Sequence, residues 1–307
     1  MSTSSERQSP ERQVVEVEGR RLSLSHLDRV LFPASGHTKA QILRYYARVA
    51  PAMLPHAAGR AASFVRAPEG AGGESWIAKT PPNGSPRWVP RVPVRHKDGV
   101  AEQVMIDSTA ALIAMVNLGA YEVHVPQWTA EAGPDGHDRL VLDLDPGPGT
   151  DLVVCCRIAQ RLRQLLADDG LTAYPVVSGA KGLHLYAPVE AASGRATGHY
   201  AKGLATRMMN EHPGLVVVSM TKAERQGKVL IDWSQNASAK TTAAPYTVRL
   251  LPERPGVAAP VTWDEVAACT GPDELSFSPE EVLDRLDAHG DRLAGLGGEG
   301  ATRGRLP

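Results

Sequence analysis

The chain has 307 residues, 42% hydrophobic and 22% charged, enough for one large core or two modest ones in an ordinary soluble protein. No apolar run approaches the ~20 residues of a membrane span, and the polar stretch from Met1 to Gln13 lacks a signal-peptide core, so the expectation is a cytoplasmic protein. The net charge of −1 conceals an asymmetry: residues 1–100 carry 15 Lys and Arg against 8 Asp and Glu, and such a basic front half suits a polyanion.

In chain order, residues 1–13 read as a disordered tail, and the alternation from Val14 to Leu24 around Gly19-Arg20 predicts a hairpin. Thr38 is placed to cap a helix through Met53, with Ile42, Tyr45, Tyr46, Val49 and Met53 on its apolar face. Pro and Gly dominate residues 68–93, with Trp76 and Trp88 in loop or short-strand sequence. A second helix is expected from Asp107 or Ser108 to Gly119. Strands and helices then alternate: a strand at Tyr121–Trp128, another at Arg139–Asp145, and a long helix capped by Thr150 and ending near Gly170. Strands follow at Leu171–Ser178 and Gly182–Pro188, a helix over 195–211, and strands near 215–219, 228–233 and 246–251. A helix at Pro279–His289 precedes a Gly-rich end. The fold class is α+β, with an N-terminal mixed module (14–120), a sheet-centred catalytic module (121–292) and a flexible tail (293–307). Cys155, Cys156 and Cys269 have no metal-ligand spacing and read as inert buried thiols.

The chemistry concentrates in three stretches. In Leu142-Asp143-Leu144-Asp145 the two carboxylates lie on one face of a strand. Their repulsion is relieved by a cation, and hard oxygen ligands favour Mg²⁺ or Mn²⁺. The same spacing also fits two solvated carboxylates at a strand end. Asp232 ends the apolar run Val229-Leu230-Ile231, where an unpartnered carboxylate is expensive to bury. A shared metal explains it, and so does an ion pair with Arg or Lys. Three carboxylates can serve two metals, one activating an attacking 3′-hydroxyl and one steadying a leaving pyrophosphate. In Ser178-Gly179-Ala180-Lys181-Gly182-Leu183-His184, the glycines permit close backbone approach, while Ser178, Lys181 and His184 offer donors to phosphate. Arg249 alternates with Val248 and Leu250 and is placed either to clamp a triphosphate or to stand exposed. DxD with manganese also fits a sugar-nucleotide glycosyltransferase, but that reading leaves the SGxKGxH run and Asp232 unexplained.

DxD, SGxKGxH and an apolar-Asp strand in this order resemble the archaeo-eukaryotic primase superfamily. YEVHVPQW (121–128), LVLDLDPG (140–147), SGAKGLHLY (178–186) and KVLIDWSQNASAKTTAAP (228–245) are similar to the polymerase domain of bacterial DNA ligase D, as are Leu31-Phe32-Pro33 and Thr38-Lys39. The resemblance covers roughly residues 14–290 and implies a primase-polymerase fold. It also implies that Asp143, Asp145 and Asp232 are the catalytic metal ligands, holding two Mn²⁺ or Mg²⁺ ions. Ser178, Lys181, His184 and Arg249 match the triphosphate pocket, and His124 matches a histidine beside it. Arg29 and Lys39 fall where relatives grip the 5′-phosphate of a DNA gap or end. Trp76 and Lys79 fall in the template-contacting region, where Trp76-Ile77-Ala78-Lys79 departs from the consecutive aromatics and Glu-Lys of relatives. The family implies gap filling and primer extension with ribonucleotides preferred, in Ku-dependent end joining. Excision-repair gap filling, primer synthesis and non-catalytic DNA-end binding stand as alternatives. Lys97-Asp98-Gly99 is not the KxDG of a ligase lysine, so the expectation is a stand-alone, nucleoid-associated polymerase acting beside Ku and a separate ATP-dependent ligase.

Overall fold

The computed structural model describes residues 12–96, 99–297 and 301–307. Its first element is a hairpin of β1 (Arg12–Val17) and β2 (Arg20–Ser25). Glu18 and Gly19 close it at positive φ, 49° and 72°, the turn whose twist suits paired strands. β1 thus begins inside the expected tail, and residues 1–11 of that tail lie outside the described residues. The short pair β3 (Val30–Phe32) and β4 (His37–Thr38) leads into α1 (Lys39–Ala57). Thr38 caps α1 in a reciprocal capping box with Gln41. The helix continues past the expected end at Met53, through Pro51 and Pro55. Val49, Ala50, Met53 and Ala57 are completely buried, and their packing outweighs the missing proline donors.

Next come β5 (Ala61–Arg66), β6 (Trp76–Ala78), β7 (Arg91–His96), β8 (Gly99–Met105), α2 (Thr109–Asn117) and β9 (Ala120–Val125). The β7–β8 ribbon is absent from the sequence reading because β7 has no fully buried residue, its two valines, Val92 and Val94, being only half-buried between Arg and Pro. β10 (His137–Pro146) precedes α3 (Leu152–Asp168). Asp151, not Thr150, caps α3: its side chain accepts from the N–H groups of both Val153 and Val154. The chain continues as β11 (Tyr174–Val177), β12 (Leu183–Ala192), α4 (Gly194–Glu211), β13 (Val216–Val217), β14 (Val229–Asp232), β15 (Thr242–Ala243), β16 (Val248–Arg249), β17 (Gly256–Val257), α5 (Trp263–Ala268) and α6 (Pro279–His289).

Two sheets organise this α+β fold. One has the order β11-β12-β10-β14-β13, and the other runs β15-β9-β5-β8-β7, with β6 added to β5. The expected module boundary at 120/121 does not divide them. β9 pairs with β5 of the N-terminal module, and β15 crosses over to pair with β9. The alternation of β9, with Glu122 and His124 on one face and Tyr121, Val123 and Val125 on the other, carries no mark of which sheet it joins. α3 and α4 cover β10 from one side. On the other side Arg139 reaches into the second sheet, donating to Gln127 and to the carbonyls of His56 and Pro126. One hydrophobic cluster runs through both layers from Leu22 to Leu296. The C-terminal residues expected to be flexible pack in part: Leu293 and Leu296 are buried, and Gly304 bridges to Val189. Among the described residues no helix is long and apolar enough to cross a membrane.

Candidate active site

β10 and β14 are neighbours with Asp143 directly opposite Asp232 and Asp145 opposite Leu230. Strand alternation places Asp143 and Asp145 on one face, and the register brings Asp232 beside them. Asp143 is pushed well above the usual carboxylate range by burial and by the charges of Asp145 and Asp232. Asp145 is raised by burial and by Asp232, against the opposing pull of Arg225 and Arg249. Asp232 accepts from Ser234 N–H at 3.0 Å, Ser234 Oγ at 2.6 Å and Gln235 Nε2 at 3.0 Å. These partners are neutral, and no Arg or Lys pairs with Asp232 among the described residues, so the ion-pair explanation does not hold.

A divalent cation fits this donor set. Asp143 Oδ1 is buried without a hydrogen-bond partner, and the repelling carboxylates need positive charge between them. Among the described residues no three His, Cys, Asp or Glu side chains close into a ready-made metal cage. His184 Nε2 lies 3.4 Å from Asp143 Oδ1. Burial, with Arg249 and His124 nearby, lowers the His184 imidazole to about 3, so it is neutral and forms no ion pair. His184 is 4% exposed and lines the cleft from within.

Residues 178–182 form a tight loop between β11 and β12, and His184 is the second residue of β12. Ala180 and Gly182 N–H donate to Ser178 Oγ at 3.2 and 3.0 Å, so these amides turn onto the loop itself and not toward a ligand. The glycines serve packing as well. A Cβ at Gly182 would run into the Leu144 carbonyl, and one at Gly179 into the Val257 backbone. Lys181 stands exposed at the rim. Gly147 plays a matching part, since a side chain there would strike the Arg225 carbonyl.

Arg249 reaches the same cleft. Its Nε donates to Glu122 at 3.1 Å and its NH1 to the Ser178 carbonyl at 2.6 Å. Glu122 also receives His124 Nε2 at 2.9 Å and Leu250 N–H at 2.8 Å. Burial alone would raise the Glu122 carboxyl, but the hydrogen bonds from His124 and Leu250 and the Arg249 charge beside it hold it below its ordinary range. The cleft has a volume of about 950 Å³ and is lined by His124, Asp143, Asp145, Ser178, Lys181, His184 and Arg249. Lys222, Arg225 and Arg254 join its lining. Sequence reasoning missed these three and Glu122. Their only sequence signal is charge in loop or strand segments, and pairing across distant elements is what assembles them.

The remaining candidates lie elsewhere. Arg29 and Lys39 adjoin one another: Lys39 N–H donates to the Arg29 carbonyl. Lys39 Nζ donates to the Ser25 and Asn117 carbonyls at 2.8 and 2.7 Å. Arg29 donates to the Pro68 carbonyl and to Glu69. Burial, assisted by Arg29, lowers the Lys39 ammonium to about 8. Lys79 lines a second cleft of about 720 Å³ with Arg95, His96 and Trp128. This cleft meets the first at Thr241. Trp76 is half exposed on β6, with the Arg66 guanidinium 5.0 Å from its ring centre. The three cysteines are free and buried, and burial pushes the Cys155 and Cys156 thiols far up, as inert thiols require.

Fold and site together define a nucleotidyltransferase of the primase-polymerase type. The structure superposes on the polymerase domain of Mycobacterium tuberculosis ligase D in complex with DNA, with TM-score 0.85 and 43% identity over 90% of this chain and 98% of that one. The chain belongs to the LigD primase-polymerase domain family, whose model matches residues 38–293. Its relatives include the multifunctional non-homologous end joining protein LigD of Mycolicibacterium smegmatis, 42% identical over 93% of this chain and 37% of the relative. The bifunctional end joining LigD of Bacillus subtilis is 31% identical over 88% of this chain and 43% of its own length. The chain thus spans less than half the length of these relatives.

Proposed function

We propose that the protein fills gaps and extends primers at DNA breaks under template direction, in Ku-dependent non-homologous end joining. In this reading it prefers ribonucleotides and uses two Mn²⁺ or Mg²⁺ ions. The observation that supports it most is the pairing of Asp143 with Asp232 across β10 and β14 beside the 178–182 loop. The DNA bound to the superposable mycobacterial domain and the end-joining names of the relatives support the substrate and pathway.

Asp143, Asp145 and Asp232 are the groups to hold the ions, whose chemistry when bound is activation of the primer 3′-hydroxyl and neutralisation of the departing pyrophosphate. Lys181, Arg249 and His124 bind the triphosphate, and Ser178 shapes the loop that presents Lys181. Neutral His184 packs against Asp143 and keeps water from its buried side. Arg29 and Lys39 grip a 5′-phosphate. Lys39 spends two of its three N–H groups on carbonyls and keeps the third for the ligand. Trp76 supplies a single stacking face for the template, with Lys79 on the backbone beside it.

Purified protein with Mn²⁺ is expected to extend a primer across a 5′-phosphorylated gap, faster with ribonucleotides. Asp143→Ala and Asp232→Ala are expected to slow extension at least about a thousandfold, the several kcal/mol that metal catalysis supplies. Undiminished extension by Asp232→Ala would refute the site.

A further inference from the structure

Glu122 takes no place among the groups that line the cleft, yet it holds two that do. It is 6% exposed, and both of its oxygens are engaged. Oε1 accepts from Leu250 N–H, while Oε2 is shared between Arg249 Nε and His124 Nε2. An ionised carboxylate only accepts, so His124 carries its hydrogen on Nε2 and turns Nδ1 away from Glu122.

We infer that Glu122 is the positioning residue of the triphosphate pocket, orienting Arg249 and His124 together toward the incoming nucleotide. A guanidinium has five N–H groups. Nε–H goes to Glu122 and one NH1 hydrogen to the Ser178 carbonyl, which leaves three N–H groups for phosphate oxygens. With two donors tied to different elements, the plane of the fork is set before the ligand arrives. β16 cannot do this alone, because its ladder with β17 is two residues long. Glu122 lies on β9 and ties this short strand to the sheet that also carries His124.

The inference rests on the polymerase reading for its ligand, and its sign separates it from a purely electrostatic role. If Glu122 only offset the charge of Arg249, removing its charge would strengthen triphosphate binding. If it positions Arg249 and His124, Glu122→Gln weakens binding, because its amide NH₂ replaces an acceptor facing two donors. The variant is expected to raise KM for the nucleotide at least about tenfold, the scale of one lost charge-assisted hydrogen bond. kcat at saturation should stay within about threefold, because the carboxylates are untouched. Equilibrium titration of the full chain with Mn²⁺ and a ribonucleoside triphosphate should show the same weakening. In an Arg249→Ala, His124→Ala background Glu122→Gln should add little. A KM that is unchanged or lowered in the folded variant overturns the inference, and so does a penalty that persists in full in the double-variant background. Should the Glu122→Gln variant fail to fold, Glu122→Asp carries the same test, since it keeps the charge and withdraws the oxygen from its partners. Wild-type protein that binds triphosphate but extends no primer would refute the polymerase reading and leave the binding comparison to decide Glu122.

Discussion

Asp143 shows how a single side chain trades stability for chemistry. Its carboxyl is raised by burial and by two neighbouring carboxylates, so the folded state holds a proton that the unfolded chain has released. Stability at this site therefore falls as pH rises above the ordinary carboxylate value of about 4. Metal-free Asp143→Asn is expected to be more stable than wild type by about 1–2 kcal/mol near neutral pH, while inactive; thermal melts in chelator check this. Lys39 has the opposite linkage. Its folded value of about 8 lies below the unfolded value of about 10.4, so stability rises with pH between the two as the buried charge is lost. If Lys39 contacts a 5′-phosphate as proposed, its grip is expected to fade as this charge is lost. The preference for a 5′-phosphorylated over a 5′-hydroxyl end should narrow several-fold between about pH 7 and about pH 9 in fluorescence anisotropy. Much at this scale was legible in the sequence. That Asp143, Asp145 and Asp232 come together was foreshadowed by alternation and by the cost of an unpartnered Asp in an apolar strand, with solvated carboxylates or an ion pair left as alternatives. The part of Glu122 was not, since a glutamate on a strand next to a histidine has the same pattern whether it is solvated or bound on three sides.

At the level of elements, close approach of backbones decides the geometry of the cleft. Gly182 lies against the Leu144 carbonyl, so Gly182→Ala must push the 178–182 loop away from β10. The expected cost is about 1–3 kcal/mol by urea unfolding, with weaker triphosphate binding than wild type. The sequence reading assigns these glycines to a ligand, because a Gly-rich loop has the same composition whether the backbone it nears is a phosphate's neighbour or another strand. Helices were legible where side chains cap them, as Thr38 does α1. The β7–β8 ribbon was not, because β7 has no fully buried residue and β8 only Gln103 and Val104.

Across the whole molecule, the two sheets meet at the cleft, and the basic surplus of residues 1–100 includes Arg29, Lys39 and Lys79. DNA affinity should fall steeply with salt on a log–log plot, and Arg29→Ala should reduce the slope by about one unit for a 5′-phosphorylated end. Binding with a slope unchanged by Arg29→Ala would remove that residue from the phosphate contact. The division into modules at 120/121 was illegible for a topological reason: β15 returns to β9 after the catalytic strands are complete. That return also dictates an order in time. Arg249 meets Glu122 across a sequence separation of 127 residues, and such long-range closure is the slow part of folding. During synthesis, β10 and β12 are available to pair long before Arg249 leaves the ribosome. Asp232 and Arg249 both lie in the last quarter of the chain, so a nascent chain completes neither the carboxylate cluster nor the Arg249–Glu122 contact until that part has emerged.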